Sequence, residues 1–233
     1  MIRLAIESDS MSIAKLHHST LTRSFLSKLG LNFLGSLYQF LIKKELVIVH
    51  SEENRITGFI SFSQNSSGMM AIFLFTCPAC VFKLLGILIL SPGLTKRFLE
   101  TFLAPFKSKS TLTKKGTVLL PSAELLSISV YPDCQATGIG SQLLNALEDY
   151  LRQNQILRYK VVAGVELVGA NKFYLKNGFV LVNQIVIHGD SLSNVYTKEL
   201  LKRRGDGATA RSYEGAMGDF AMDNSLSPTD CFG

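Results

Sequence analysis

The sequence predicts an α/β (α+β) domain, and three observations carry that prediction. Strand-like and helix-like runs alternate along most of the chain. Two apolar runs flank a turn-rich pentapeptide, as a β-hairpin requires. A strand, a glycine loop and an amphipathic helix follow one another across residues 125–154.

Ile2, Leu4 and Ile6 alternate with polar residues and read as a first strand. Ser8 or Ser10 is placed to cap a helix whose apolar positions Ile13, Leu16 and Leu21 keep helical spacing. His17 and His18 lie on it and read as surface or partly buried structural residues. A second helix is expected over 25–42, with Gly30 and Gly35 marking an irregular or divided path. ELVIVH (45–50) and ITGFISF (56–62) flank SEENR and form the hairpin. Residues 125–130 (LLSISV) are the next strand, and 141–154 carries Leu143, Leu144, Leu147, Tyr150 and Leu151 at helical spacing. A strand over 159–165 precedes a short helix over 170–176, which Gly178 stops as a C-terminal cap. Strands over 179–187 and 193–200 close the domain around the turn HGDS. The domain is expected to span 1–201. From 202 the chain is rich in Gly, Ser, Ala and Asp and reads as a disordered tail.

Between the hairpin and the LLSISV strand the pattern is unusual. MMAIFLFTCPACVFKLLGILIL is apolar except for Thr76 and Lys83, with Pro78 and Gly86 as breakers, which argues against an uninterrupted membrane span. Residues 94–106 continue as a basic amphipathic segment, Lys96, Arg97 and Lys107 standing beside Phe98, Phe102 and Phe106. Two readings of this 69–106 insertion stay open: a helical insertion packed on the domain or on a partner, and a peripheral membrane contact.

The net charge of +6 points to an anionic partner, a phosphorylated ligand or a lipid surface. No Lys/Arg cluster interleaves with aromatics, so nucleic acid is not expected. CPAC (77–80) has no second CxxC or paired histidines, so no metal is expected. Cys77 and Cys80 read as a buried pair of small hydrophobes, and a cytoplasmic location fits the cysteine usage. The start MIRLAIESDS lacks the long apolar stretch of a signal peptide.

The chemistry is expected in YPDCQATGIGSQLL (131–144). A strand ending at Val130, a loop through Gln135, Ala136, Thr137, Gly138, Ile139 and Gly140, and a helix from Ser141 would set unpaired N–H groups and the positive helix end around an anion. Two familiar loops are rejected. Gly140 is followed by Ser-Gln where a nucleotide-hydrolysing loop needs Lys-Ser/Thr. Leu143 stands where a dinucleotide fingerprint needs its third glycine, and no acid appears in the next strand before Glu166.

Gln135, Gly138 and Gly140 match in identity and spacing the acyl-CoA loop Q/R-x-x-G-x-G/A of the GCN5-related N-acetyltransferase (GNAT) superfamily, which the chain resembles over 1–66 and 117–200. Ala170, Tyr174, Gly178 and Phe179 are similar to that family's A-x-x-x-Y-x-x-x-G-F segment. The resemblance implies a mixed, mostly antiparallel sheet splayed between its fourth and fifth strands, with helices on both faces. It implies acetyl-CoA as co-substrate and direct acyl transfer to a primary amine. The backbone of Ile128, Ser129 and Val130 would hold the pantetheine arm, and the main chain of 135–141 the pyrophosphate. An N–H near Val130 would polarise the thioester carbonyl. Tyr174 matches the family's general acid, and Glu124 is the best candidate for the base, directly or through water. Cys134, with no histidine beside it in sequence, is not expected to act as a nucleophile. Where the family carries Asn seven residues before the tyrosine, this chain has Leu167, and Asn171 is displaced.

An amino sugar or another small amine is the expected acceptor. A protein or peptide amine and a non-catalytic CoA-binding or membrane-docked regulator are the alternatives, and a homodimer stays open.

Overall fold

The computed structural model describes residues 1–22, 24–53, 55–77, 80, 119–188 and 191–201, giving only the backbone for 187, 188 and 191. The alternating start forms β1 (Ile2–Leu4), and a 3₁₀ turn over Glu7–Asp9 leads into α1 (Ser10–Thr20). The cap position falls on Asp9 and not on Ser8 or Ser10. Its carboxylate leaves the N–H groups of α1 alone, because Arg3 claims both oxygens, at 2.6 and 3.0 Å, and the Ile6 N–H adds a third bond at 2.9 Å.

The expected second helix is divided. Gly30, at φ 87°, separates α2 (Phe25–Lys28) from α3 (Leu31–Lys44), and the Ser24 hydroxyl caps the former. Gly35 does not break α3. A Cβ there would meet the Met11 Cε at 3.0 Å, so this glycine is where α1 and α3 approach closely.

The hairpin is β2 (Leu46–Glu52) and β3 (Arg55–Ser63), followed by α4 (Met69–Thr76). The second half of the domain runs β4 (Glu124–Val130), α5 (Ile139–Gln153), β5 (Arg158–Gly164), α6 (Val168–Lys176), β6 (Val180–His188) and β7 (Ser191–Glu199).

These seven strands form one sheet in the order β1-β2-β3-β4-β5-β7-β6. All neighbours are antiparallel except β4 and β5, which run parallel and pair only at Glu124↔Lys160 and Leu125↔Val161. The splay expected between the fourth and fifth strands is this early end of the ladder. A register shift against β3, where Ser61 faces Ser127 but Phe62 faces Leu125, leaves Leu126 as an extra residue on β4.

Helices cover both faces. One core joins α1, α3 and α4 through Leu16, Phe33, Leu37, Tyr38, Phe59 and Phe73. The other joins α5 and α6 to the sheet through Leu143, Leu147, Tyr159, Val161, Tyr174 and Tyr196. Within the second, the buried Glu148 of α5 takes the Tyr159 hydroxyl at 2.8 Å, Arg152 at 3.3 Å and the Lys198 ammonium. A charge so deeply placed needs these partners to be tolerated. Gly58 of β3 lets α5 sit low on the sheet: a Cβ there would lie 3.0 Å from Leu143 Cδ1 and 3.1 Å from Ile139 Cγ2.

Cys77 and Cys80 are a disulfide and not a pair of free small hydrophobes. The helix ends at Thr76, and the chain beyond it brings the two Cα atoms to 5.2 Å, within bonding reach. The rest of the 69–106 insertion, apart from Met69–Thr76, Cys77 and Cys80, and the tail from 202 lie outside the described residues.

His17 is buried and structural. Its neutral ring fits with Nδ1 accepting the Tyr38 hydroxyl at 2.6 Å and Nε2–H donating to Ser24 Oγ at 3.1 Å. Burial lowers its pKa to about 4. Between that value and the ordinary 6.5 of an unfolded chain, the unfolded state binds the extra proton. The His17 contribution is therefore complete above about pH 6.5 and is lost as pH falls toward 4, by on the order of 3 kcal/mol. Denaturant titrations at several pH values are expected to show this slope in the parent and a flatter one in His17→Gln. Gly58→Val is expected to cost roughly 1–3 kcal/mol by overpacking against Leu143 and Ile139, read as a lower Tm.

Candidate active site

Beyond Leu125 the edge of β4 that faces β5 has no ladder partner among the described residues. In an antiparallel ladder, successive residues turn their backbone groups to opposite sides. The Tyr131 N–H donates to the Thr57 carbonyl at 2.9 Å, so Ser129 turns toward β3, whereas Ile128 and Val130 turn toward the gap. Ile128 and Val130 thus present backbone groups to the cleft. Ser129 does not: its backbone faces β3, and its hydroxyl donates to Thr20 Oγ1 at 2.7 Å. The Val130 carbonyl accepts the Gln135 side-chain amide at 3.1 Å, which ties the loop to the strand it leaves.

The loop itself is shaped for an anion. A 3₁₀ turn over Pro132–Cys134 is held from outside by Arg55, which pairs with Asp133 at 3.1 Å and lies 4.7 Å over the Tyr131 ring. Ala136 (φ 63°) and Gly138 (φ 89°) are both left-handed, a backbone form that makes consecutive N–H groups line a concavity. Thr137 closes the turn on the Cys134 carbonyl at 2.7 Å. Helix α5 starts at Ile139, two residues earlier than its apolar spacing suggests, with Gly138 as its cap and no capping side chain. The first helical bond is Gln142 N–H to the Gly138 carbonyl at 3.0 Å. Among the described residues, no acceptor engages the N–H groups of 136–141. Six donors at the positive end of a 15-residue helix fit the pyrophosphate of an acyl-CoA. Gly140 sits where Phe173 of α6 and Val130 of β4 converge: a Cβ on it would lie 3.4 Å from the Phe173 ring and 4.0 Å from Val130 Cγ2.

Tyr174 is buried in the core, its ring 5.7 Å from Phe173, 5.4 Å from Phe179 and 5.8 Å from Tyr196. Among the described residues, no hydrogen bond engages its hydroxyl, and burial raises its pKa, so the phenol is protonated throughout the neutral range. Glu124 opens the short β4–β5 ladder, opposite Lys160. Its carboxylate accepts Ser66 Oγ at 2.6 Å and stands 3.2 Å from Lys160 Nζ. Burial and the neighbouring Asp133 push the Cys134 thiol up, the wrong direction for a nucleophilic thiolate.

Asn171 has a role its position in the sequence did not reveal. Its amide donates to the carbonyls of Gly164 at 2.9 Å and Leu167 at 2.8 Å, and its oxygen accepts the Tyr196 hydroxyl at 2.7 Å and Asn194 at 2.8 Å. It locks the turn between β5 and α6 to β7. Leu167, in the place of the expected asparagine, is half exposed and offers a ligand no side-chain hydrogen bond. The second missed cluster lies on the other face of β4, where Tyr38 reaches Ser127 Oγ at 3.2 Å and Ser127 meets Ser61 at 2.7 Å. Only contacts across 60 to 90 residues of chain reveal it.

Residues 109–181 match the family model of the acetyltransferase (GNAT) domain. No curated protein matches the chain. Among solved structures, an N-acetyltransferase from Staphylococcus aureus Mu50 is similar at TM-score 0.54 and 14% identity, over 86% of this chain and 98% of that one. yncA from Salmonella typhimurium, solved with its cofactor acetyl-CoA, is similar at TM-score 0.53 and 14% identity, over 90% and 98%. The ribosomal-protein-S18-alanine N-acetyltransferase from Escherichia coli is similar at TM-score 0.52 and 13% identity, over 90% and 98%. At these identities the structures speak for the fold alone. The domain match falls on the stretch that holds β4, the loop, α5 and α6.

Proposed function

We propose that the protein is an acyl-CoA-dependent N-acetyltransferase that passes an acetyl group from acetyl-CoA to a primary amine by direct attack in a ternary complex. The observation that carries this reading is one continuous main-chain surface. The free β4 edge at Ile128 and Val130 runs into unengaged N–H groups at 136–141, which suits a pantetheine arm that ends in a pyrophosphate. The acetyl-CoA bound in yncA supports the choice of donor.

The residues divide the work as follows. The backbone of Ile128 and Val130 hydrogen-bonds the arm as an added strand. The Val130 N–H, turned into the cleft, polarises the thioester carbonyl. Gln135 holds the loop to the strand, and the N–H groups of 136–141 meet the phosphates. Glu124, kept in place by Ser66 and Lys160 at the closed end of the cleft, takes the proton of the acceptor ammonium directly or through water. The neutral amine then attacks the thioester carbon, the C–S bond breaks, and Tyr174 donates its phenolic proton to the departing thiolate. The attacking nitrogen sheds its second proton as the amide forms, and that proton passes to the Tyr174 phenolate, since burial favours the phenol. We take the acceptor to be a small amine, an amino sugar among them, and leave the choice to the assay below.

The test is release of free thiol from acetyl-CoA with a panel of amino sugars, small amines and peptides. Turnover with one class identifies the acceptor. Measurable CoA binding without turnover on any of them would favour a CoA-binding regulator. Tyr174→Phe is expected to lower kcat roughly a hundredfold with CoA affinity little changed, and Glu124→Gln to lower kcat in the same assay. Gly138→Ala forces a Cβ into a left-handed residue at a cost of about 1–2 kcal/mol, so CoA is expected to bind roughly tenfold more weakly, measured by calorimetry.

A further inference from the structure

The second half of the domain, 124–199, carries six lysines and arginines. Four of them meet a carboxylate. Arg152 meets Glu148 and Asp149, Arg158 meets Glu199, Lys160 meets Glu124, and Lys198 meets Glu148. Lys172 and Lys176 are the two that form no ion pair among the described residues, and both stand exposed on α6. The helix itself holds no acid. Glu166, in the turn before it, folds its carboxylate back against Gly164. Two ammonium groups four residues apart on one helix repel each other, and nothing on α6 offsets that cost.

Their place in the fold supplies a reason for them. Gly169, Phe173 and Lys176 follow at spacings of four and three, so they form one stripe along α6, with Lys172 beside it. Phe173 fixes where the stripe points: a Cβ on Gly140, in the first turn of α5, would lie 3.4 Å from its ring. A Cβ on Gly169 would meet nothing within 4 Å, so the stripe is open at its start. Lys176 therefore stands about one helical turn beyond Phe173, on the side of α6 that borders the unengaged N–H groups of 136–141. Lys172 lies one position before Phe173, within reach of the same border on its long side chain.

The chemistry of the partner follows from the donor. The N–H groups of the loop suit a pyrophosphate, and coenzyme A carries one phosphate more, a monoester on the 3′ carbon of its ribose. A phosphomonoester holds close to two negative charges at neutral pH. Leu167 gives the donor no side-chain hydrogen bond at the start of the helix, so the cations further along it are what α6 has to offer. Charge-assisted hydrogen bonds to one phosphate would also relieve the repulsion between the two ammonium groups. We propose that Lys172 and Lys176 of α6 hold the 3′-phosphate of the acyl-CoA donor and so select CoA over donors that lack this group. The inference rests on the reading of the chain as an acyl-CoA-dependent transferase.

The experiment is calorimetric titration of the full chain with CoA and with 3′-dephospho-CoA. The parent is expected to bind CoA roughly three- to tenfold more tightly, and the advantage is expected to shrink as salt is raised. Lys172→Gln with Lys176→Gln is expected to bring the affinity for CoA down to that for 3′-dephospho-CoA and to leave the latter unchanged. Both side chains are exposed, so an unchanged thermal transition is expected for the variant and separates lost binding from lost folding. Equal affinity of the parent for the two compounds, or a double variant that weakens both alike, overturns the inference and leaves the acyl-CoA reading standing. A parent that binds neither compound overturns that reading and the inference with it.

Discussion

The ladder between β4 and β5 lasts two residue pairs, and the site depends on where it stops. Parallel strands that stayed paired would satisfy each other's backbone groups and leave no edge to offer. By parting after Leu125 they turn the backbone groups of Ile128 and the Val130 N–H to the cleft, the Val130 carbonyl being taken by Gln135. The extra residue at Leu126 belongs to the same device, since a bulge sharpens the local twist of β4 just where it leaves its neighbour. Glu124 lies on the first of the two paired steps, and the glycine loop follows the end of the strand. The closed end, the free edge and the glycine loop therefore lie in order along one stretch of chain.

An open cleft in a sheet costs pairing energy, so both arms have to be held from elsewhere. The β5 arm is fastened by β7, which pairs along its whole length, and by Glu148 of α5, whose carboxylate takes Tyr159 of β5 and Lys198 of β7. Asn171 adds a second fastening at the far end, bonding the Gly164 carbonyl at the end of β5 and the hydroxyl of Tyr196 on β7. The β4 arm is held by β3 and by hydroxyls on its other face, where Ser129 meets Thr20 and Ser127 meets Tyr38 and Ser61. Buried polar networks of this kind are costly if half satisfied, and here most members have partners on at least two elements.

Local patterns made much of this legible in the sequence. Alternation placed β1, spacing placed α1 and α5, and the glycines at 30 and 178 marked a division and a stop, because each effect acts over a few residues. The glycine loop was legible for the same reason: Gln135, Gly138 and Gly140 act through their own backbone and their immediate neighbours. What was missed depends on distant partners. Asp9 was overlooked as a cap because Arg3 decides where its oxygens go. Asn171 looked displaced because its four partners come from β5, the turn after it, and β7. The disulfide at Cys77–Cys80 was missed because spacing alone does not say whether a chain folds back after a helix end.

By itself, the sequence determined the class of fold, the order of its elements and the anion loop, since helical and strand periodicity and left-handed glycine positions are properties of short segments. Only the tertiary structure decided that β7 inserts between β5 and β6, that the ladder ends at Leu125, and that Ile128 and Val130 rather than Ser129 face the cleft. Those outcomes are set by register, by burial and by pairings between residues far apart in the chain. No local pattern encodes them, because a shift of one residue turns each backbone group to the opposite side.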